Sequence, residues 1–322
     1  MEDERLLEVQ GLKTYFFTYR GLVKAVDDIS FTVGKGEILG LVGESGCGKS
    51  VTTLSILRLV SMPGKIVQGK ILYKGEDLLN KSEKEMGEIR GKKIAMIFQE
   101  PIISLNPVFT IGTQTSELIQ FHERVPRAVA LERVVEMFRL VGLPNPVEIL
   151  SQHLHQLSGG MCQRVMIAMM LACKPDLLIA DEPTTALDVT IQAQILDLLK
   201  QIRKKLQTTM IFISHDIGVV SEICDRVGIM YAGKIVEIGP VEKILSQPFH
   251  PYTVGLISTV PKLGEKKEKL PTIPGTVPDL INLPPGCRFN PRCPFVEELC
   301  RKSEPELKSA GGGREVACFR ME

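Results

Sequence analysis

The chain has 322 residues, of which 39 are Lys or Arg and 38 are Asp or Glu, so its net charge is only +1. This balance gives no global argument for a polyanionic partner, whether nucleic acid or an anionic membrane surface. The length allows two domains, or one large domain with an appendage. The first residues are acidic where a signal peptide is basic, and no apolar run reaches the roughly 18 residues that span a bilayer. We therefore expect a soluble, cytoplasmic protein that meets a membrane only through a protein partner.

From about residue 6 to 236 the pattern is mixed α/β. Short β-rich segments at 29–33 and 70–73 are followed by apolar strands that alternate with helices. Such alternation predicts a mainly parallel sheet covered by helices.

The most specific motif is a glycine-rich loop between an apolar strand at 38–42 and a helical pattern over residues 51–60. Its glycines let backbone N–H groups turn toward a triphosphate, its lysine supplies charge to the β and γ phosphates, and its serine can coordinate Mg²⁺. A chance glycine-rich turn is disfavoured because a strand precedes the loop and a helix follows it. The loop consists of Gly43, Glu44, Ser45, Gly46, Cys47, Gly48, Lys49 and Ser50.

Two later regions differ from the rest of the chain in sequence pattern and composition. From about Thr113 to Leu150 apolar residues recur at helical spacing, which predicts a helical subdomain inserted at about residues 100–170. After Gly239 prolines become frequent, which excludes long helices and central strands and predicts an irregular appendage. Four of the eight cysteines lie within residues 287–318, and in a cytosolic protein such a cluster favours a metal site over disulfides.

Two further motifs indicate ATP hydrolysis. An apolar strand ends at Asp181 and Glu182, where the first carboxylate can reach Mg²⁺ and the second can polarise an attacking water. Earlier in the chain, a serine can cap a helix whose two leading glycines leave N–H groups open to an anion. Each pattern alone also fits an ordinary strand end or helix start, but their joint occurrence with the loop favours the catalytic interpretation. The second motif contains Ser158, Gly159, Gly160 and Gln163.

With these motifs in this order, residues 5–240 resemble the nucleotide-binding subunit of ABC transporters. In that family the loop at 43–50 is Walker A, residues 157–163 are the signature and residues 177–182 are Walker B. The resemblance implies an α/β P-loop NTPase fold with a RecA-like core, an N-terminal antiparallel β subdomain and the inserted helical subdomain. It also implies that ATP binds between Walker A of one subunit and the signature of its partner, which couples binding to dimerisation.

The resemblance assigns roles to single residues. Gln99 matches the Q-loop glutamine, which senses the membrane partner, and Asp188 matches the D-loop aspartate. His215 matches the switch histidine, which bonds the γ phosphate, and Glu182 is the general base. A histidine after a strand is more often structural, but the order of the other motifs favours the switch role. The implied Mg²⁺ ligands are Ser50, Gln99 and Asp181.

The family stacks an aromatic ring on adenine ahead of the first core strand. Phe16 fits this role best by spacing and Tyr19 fits second, although either ring also suits packing in the β subdomain. Val51, next to the Walker A serine, replaces the usual hydroxyl residue and removes an α-phosphate contact. Cys162 replaces a polar or basic residue of the signature. Neither change removes a catalytic group, so we expect a competent ATPase.

Residues 241–322 resemble the tail of the ATPase subunits of oligopeptide and dipeptide importers, for example at 250–253, 270–278 and 283–289. Five, six and seventeen residues separate the successive cysteines of the tail. Structural Zn²⁺ sites favour closer pairs, so the spacing and the resemblance favour a 4Fe–4S cluster, with Zn²⁺ or unmetallated thiols as alternatives. The cysteines are Cys287, Cys293, Cys300 and Cys318.

The resemblance implies a motor for dipeptide or oligopeptide import at the cytoplasmic face of the cell membrane. Its partners are then a second related ATPase or a second copy, two membrane permeases and, indirectly, an extracellular solute-binding protein. A motor for nickel or another small solute is the nearest alternative. A non-transport ABC ATPase is disfavoured by the single ATPase domain and the lack of a basic stretch. A redox-sensing regulator is disfavoured by the intact Glu182 and His215.

Overall fold

The computed structural model describes four ranges of the chain, which divides into two compact units. The described ranges are 5–99, 104–185, 187–259 and 272–321. One unit consists of residues 1–80 and 212–322, and the other consists of residues 81–211. Within the described ranges, no helix is both long enough and apolar enough to cross a membrane.

The first unit begins with a four-stranded antiparallel sheet, as the predicted β subdomain requires. In spatial order its strands are Gly21–Gly34 (β2), Arg5–Thr18 (β1), Gly64–Tyr73 (β4) and Glu76–Asp77 (β5). Leu7, Val9 and Leu12 of β1 are buried. The β-rich segments at 29–33 and 70–73 both lie within this sheet.

A second sheet of the same unit leads into the glycine-rich loop. Strand Ile38–Val42 (β3) is buried at every residue and pairs in parallel with Arg226–Tyr231 (β9). Strand β9 in turn pairs antiparallel with Lys234–Pro240 (β10). A continuous apolar strand covered on both faces is typical of the interior of an α/β sheet.

The helix after the loop, Lys49–Ile56, is shorter than the predicted 51–60. Leu57 caps its end, and Arg58 adopts a left-handed φ of 53° that cannot continue the helix. The other described helices of this unit before residue 260 are the 3₁₀ helix Leu78–Asn80 and the α-helices Ile217–Ile223, Val241–Ser246 and Pro251–Ser258.

The second unit pairs Ile94–Ile97 (β6) in parallel with Leu177–Asp181 (β7), and every residue of both strands is buried. Val134 and Phe138, on the predicted apolar helical face, are fully buried. Residues 100–103 of the predicted helical subdomain lie outside the described residues. The division between the units falls within Thr209–Ser214 (β8). Among the described residues of this unit, the α-helices are Glu83–Ile89, Ile111–Glu123, Arg127–Leu140, Pro146–Ile149, Gly159–Leu171 and Val189–Leu206, and Leu154–Gln156 is a 3₁₀ helix.

The C-terminal extension, residues 241–322, adds strands to the second sheet of the first unit. Arg314–Val316 (β12) pairs antiparallel with β10, and Lys308–Gly311 (β11) pairs with β12. Residues 272–297, all of them described, contain neither helix nor strand, as the prolines predict. A short helix, Glu298–Lys302, follows them. Residues 260–271, including two prolines and the charged stretch of the tail, lie outside the described residues.

Candidate functional site

Two positions of the glycine-rich loop accept only glycine. A Cβ at Gly43 would lie 2.1 Å from the carbonyl oxygen of Met230, and a Cβ at Gly48 would lie 2.2 Å from that of Ala25. Gly48 also has a φ of +104°, which L side chains rarely adopt. The loop backbone therefore runs closer to its neighbours at these two positions than any side chain allows.

Lys49 folds back across this loop. Its side chain is nearly buried, and Nζ donates to the carbonyl oxygens of Gly43 at 2.7 Å and Glu44 at 3.1 Å. The ammonium group is thereby held at the mouth of the loop, where it can meet an anion that the backbone N–H groups bind.

The residues next to Lys49 differ in exposure. Cys47 is fully buried, and burial raises the pKa of its thiol. Its side chain is therefore a packing group below the loop. Ser50 and Val51 are half-buried on the first helical turn. Thr52 Oγ1 donates to the Gly48 carbonyl at 2.9 Å, which ties the helix start to the loop.

His215 lies in the same unit, in the turn after β8. The Ser214 hydroxyl accepts the N–H of Asp216 at 3.0 Å, and Asp216 Oδ1 accepts the N–H of Gly218 at 2.7 Å. These two bonds fix the turn and cap the following helix. The His215 side chain is exposed on this fixed turn, as a group that meets an incoming ligand requires.

In the second unit, Glu182 directly follows the buried Asp181 at the end of β7. Glu182 has a left-handed φ of 46°, a conformation that is unfavourable for a residue with a side chain and that concentrates at functional sites. Its Oε2 accepts from Thr185 Oγ1 at 2.9 Å and from Gln99 Nε2 at 3.3 Å. The structure thus brings together two residues, Gln99 and Glu182, that sequence analysis assigned separately to the site.

The signature begins a helix in the same unit. Ser158 Oγ accepts the N–H of Met161 at 3.4 Å, and Ser158 and Gly159 are exposed, with Gly160 half-buried. Cys162 and Gln163 are buried, so these two side chains support the helix from inside. A small apolar side chain such as that of Cys162 therefore suits this buried position. The contact of Gln163 with ATP stays a prediction, and its side chain is buried in this structure.

The D-loop precedes the long helix Val189–Leu206. Asp188 caps this helix, since its Oδ1 accepts the N–H of Ile191 at 2.9 Å, and it is exposed. Ala186 lies outside the described residues.

The two candidate adenine-stacking rings lie in different surroundings. Phe16 is half-buried in β1, where its ring faces Gly64 closely enough that a Cβ there would lie 2.7 Å from Phe16 Cε1. Tyr19 is 91% exposed. Exposure therefore favours Tyr19, the second choice by spacing.

The four cysteines of the extension line one small cavity and form no disulfide. Burial raises the pKa of the Cys287 thiol to about 11, while a backbone hydrogen bond from Phe289 acts in the opposite direction. Equivalent bonds run from Phe295 to Cys293 and from Arg320 to Cys318. Across the described ranges, however, no group of three or more His, Cys, Asp or Glu is arranged to hold a metal ion. The four thiols thus share a cavity without the arrangement of a formed metal site, and the predicted 4Fe–4S or Zn²⁺ site is not shown by the structure.

Sequence analysis missed three residues of the extension that contact the core of the first unit. Arg292 Nη1 donates to Glu44 Oε1 at 2.9 Å, and the hydroxyl of Tyr252 accepts the N–H of Glu44 at 3.0 Å. Arg288 pairs with Asp27 of β2. These contacts join residues 248, 208 and 261 positions apart, so no local spacing reveals them. The available signal was that both arginines adjoin cysteines in a proline-rich tail.

Comparison with known proteins agrees with these features. Residues 26–185 match the family model of the ABC transporter, and residues 236–300 match that of the oligopeptide/dipeptide transporter C-terminal region. The chain is 51% identical to the probable peptide ABC transporter ATP-binding protein y4tR of Sinorhizobium fredii, over 98% of this chain and 95% of that protein. It is 50% identical to the oligopeptide transport ATP-binding protein AppD of Bacillus subtilis, over 98% of this chain and 97% of that protein.

Solved structures are similar as well. The dimeric post-hydrolysis state of the ATP-binding cassette MJ0796, bound to ADP and Pi, has a TM-score of 0.66 and 25% identity, covering 73% of this chain and 98% of that chain. The structure of cbiO1 from Clostridium perfringens, part of the ABC transporter complex cbiONQ, has a TM-score of 0.65 and 26% identity, covering 76% of this chain and 92% of that one.

The P-loop, the carboxylates at the end of β7 and the signature helix define an ATPase of the ABC class. Membrane permease partners and dimerisation come with that class. The chain belongs to the ATP-binding proteins of the oligopeptide/dipeptide ABC transporter family.

Proposed function

We propose that this chain hydrolyses ATP to drive the import of dipeptides or oligopeptides, as the motor subunit of an ABC importer. The observation that carries the proposal is the carboxylate of Glu182, which Gln99 and Thr185 hold directly after the strand ending at Asp181. A carboxylate fixed in this way at a γ-phosphate site can accept a proton from an attacking water. Glu182 is therefore the general base.

The other residues bind and orient the nucleotide. The Walker A backbone and the Lys49 ammonium bind the phosphates, the exposed His215 bonds the γ phosphate, and Tyr19 stacks on adenine. Ser50, Gln99 and Asp181 would hold Mg²⁺, which would neutralise charge on the phosphates. Ser158, Gly159 and Gly160 contact the nucleotide of the facing subunit.

Because Walker A and the signature of one site come from different subunits, ATP binding brings two subunits together and hydrolysis lets them part. The second subunit is a related ATPase or a second copy of this chain. The two ATPase subunits act at the cytoplasmic face of the membrane, beneath two permeases. An extracellular solute-binding protein delivers the peptide to these permeases. The names of the relatives, which refer to peptide and oligopeptide transport, favour peptides over nickel as the cargo.

The test is Glu182→Gln, which keeps the size of the side chain and removes the base. We expect kcat for ATP hydrolysis to fall by about 10²–10⁴-fold, while ATP binding persists and an ATP-dependent dimer accumulates on size-exclusion chromatography. Glu136→Gln is the matched control, because Glu136 is exposed on helix Arg127–Leu140. Unchanged hydrolysis in Glu182→Gln would remove Glu182 from the role of base.

We also propose that Cys287, Cys293, Cys300 and Cys318 bind a 4Fe–4S cluster, with Zn²⁺ as the alternative. Three observations support the proposal: the four thiols share one cavity, backbone N–H groups two residues on bond three of the sulfurs, and no disulfide competes. Such N–H to sulfur bonds tune iron–sulfur sites, and metal binding would deprotonate the thiols whose pKa burial raises. The cluster would serve as a structural tie for the proline-rich extension.

The measurement is the visible absorption of the anaerobically purified chain before and after dithionite, together with iron and zinc analysis. A brown band that bleaches and that Cys287→Ser removes, but Cys173→Ser does not, supports the cluster. A colourless protein with stoichiometric zinc supports the alternative, and a protein without either metal contradicts both.

A further inference from the structure

Arg292 of the extension is fixed against the Walker A loop. Its side chain is only 4% exposed, and Nη1 donates to both carboxylate oxygens of Glu44, at 2.9 and 3.2 Å. Its Nε donates to the carbonyl of Pro274 at 2.8 Å, and Nη2 donates to that of Ile273 at 3.3 Å. A guanidinium held on three sides keeps the Glu44 carboxylate in one place.

The extension also holds the backbone of Glu44. The N–H of Glu44 donates to the hydroxyl of Tyr252 at 3.0 Å, and Tyr252 is fully buried. The Tyr252 ring lies 4.7 Å from the ring of Tyr231 and 5.5 Å from that of Phe289, measured between centroids. Both the side chain and the backbone of Glu44 are therefore anchored by residues that follow position 240.

Glu44 in turn sets the position of Lys49. The carbonyl oxygen of Glu44 is one of the two loop carbonyls that accept from Lys49 Nζ. A shift of Glu44 would move one acceptor and change the path of the loop at its first variable position. Since phosphate binding needs the lysine and the N–H groups in one fixed arrangement, the anchored Glu44 preorganises the site.

We propose that Arg292 is a positioning residue for the nucleotide site, through which the C-terminal extension sets the affinity of Walker A for ATP. The proposal rests on the proposed function, because it takes the loop at 43–50 as the ATP site. Arg292 itself does not touch the nucleotide. It acts through Glu44 on the loop, so its loss weakens ground-state and transition-state binding alike.

The experiment measures the Kd of a fluorescent mant-ATP·Mg²⁺ probe, with KM and kcat for ATP, in the full chain. Arg292→Met should weaken probe binding and raise KM by about tenfold, with a much smaller change in kcat. Arg292→Lys should fall between Arg292→Met and the wild type, because lysine keeps the charge but loses the bonds that Nε and Nη2 make to the carbonyls of Pro274 and Ile273. Arg301→Met is the matched control, since Arg301 is an exposed arginine of the same extension.

A double-mutant cycle separates positioning from general stability. Glu44→Gln should weaken binding by a similar factor, and the double variant Glu44→Gln/Arg292→Met should be no worse than either single variant. The proposal would be overturned if Arg292→Met bound the probe within twofold as tightly as the wild type. It would also be overturned if the effects of the two single variants multiplied in the double variant. If Arg292→Met fails to fold, Arg292→Lys and Glu44→Gln decide the same question. If the wild-type chain bound the probe no better than Lys49→Ala does, that result would instead overturn the proposed function.

Discussion

Arg288 forms the buried ion pair that joins the C-terminal extension to the antiparallel sheet. Its side chain is 7% exposed, and that of its partner Asp27 is 11% exposed. Arg288 Nη1 also donates to the carbonyl of Ala232 at 2.5 Å, and the hydroxyl of Tyr15 donates to Asp27 Oδ1 at 2.5 Å. Arg288→Met keeps most of the apolar stem and leaves a buried carboxylate without its cation.

Removal of one partner from a buried ion pair costs about 3–5 kcal/mol. Because Tyr15 still donates to Asp27, we expect Arg288→Met to lose about 3 kcal/mol of the free energy of unfolding, at the lower end of that range. Urea unfolding followed by circular dichroism measures this loss from the midpoint and slope. Asp27→Asn in the same background should restore part of it, since the unpaired charge is then gone. Arg301→Met, exposed in the same extension, should change stability by less than about 0.5 kcal/mol.

The pH dependence gives a second check. Burial acts to raise the pKa of Asp27, but the hydrogen bond from Tyr15 and the charge of Arg288 outweigh it and lower this pKa. The pair's contribution is therefore complete above the unfolded pKa of about 3.9 and is lost as the pH falls through the lower folded value. The difference between wild type and Arg288→Met should stay constant above about pH 5 and shrink below pH 4. A loss under about 1 kcal/mol, or a difference that grows in acid, would refute this reasoning.

Two other substitutions test the loop and the adenine site. Gly48→Ala should cost about 2–4 kcal/mol in urea unfolding, because its Cβ meets the Ala25 carbonyl and its φ is positive. Tyr19→Ala should weaken mant-ATP binding by about tenfold or more through lost stacking, whereas Phe16→Ala should mainly lower the unfolding midpoint, because Phe16 is partly buried.

Each of these substitutions is compared with a second variant. Gly36→Ala shares a positive φ, +74°, but meets no atom within 4 Å, so it should be clearly milder than Gly48→Ala, and equal losses would contradict the steric argument. If Phe16→Ala weakens nucleotide binding more than Tyr19→Ala, the order based on spacing is right and the argument from exposure is wrong.

The sequence predicted those parts of the molecule that depend on local pattern. The apolar strand Ile38–Val42, the glycine-rich loop and the carboxylates at the end of β7 could be found because strand burial, tight turns and strand ends constrain residue type at short range. The buried face of helix Arg127–Leu140 followed from the spacing of its apolar residues for the same reason. Helix ends were less accurate, as the stop at Leu57 shows.

The contacts that the extension makes could not be predicted from pattern. Arg292 reaches Glu44 from 248 residues away, and only the folded chain decides which carboxylate an arginine meets. Gln163 was predicted to bind ATP from its place in the signature motif, and the motif could not predict that its side chain is buried. The ranking of Phe16 and Tyr19 as candidates for adenine stacking depends on side-chain exposure, which motif spacing does not reveal.

The pairing of β12 with β10 limits where this chain can be truncated. A fragment ending at Pro240 would leave the edge of β10 without its partner strand and would uncover the ring of Tyr231, which Tyr252 and Phe289 contact. Unpaired strand edges and exposed aromatic surface both favour self-association. We therefore expect the C-terminal extension to keep the ABC cassette soluble. A fragment without the extension should aggregate more readily than the full chain.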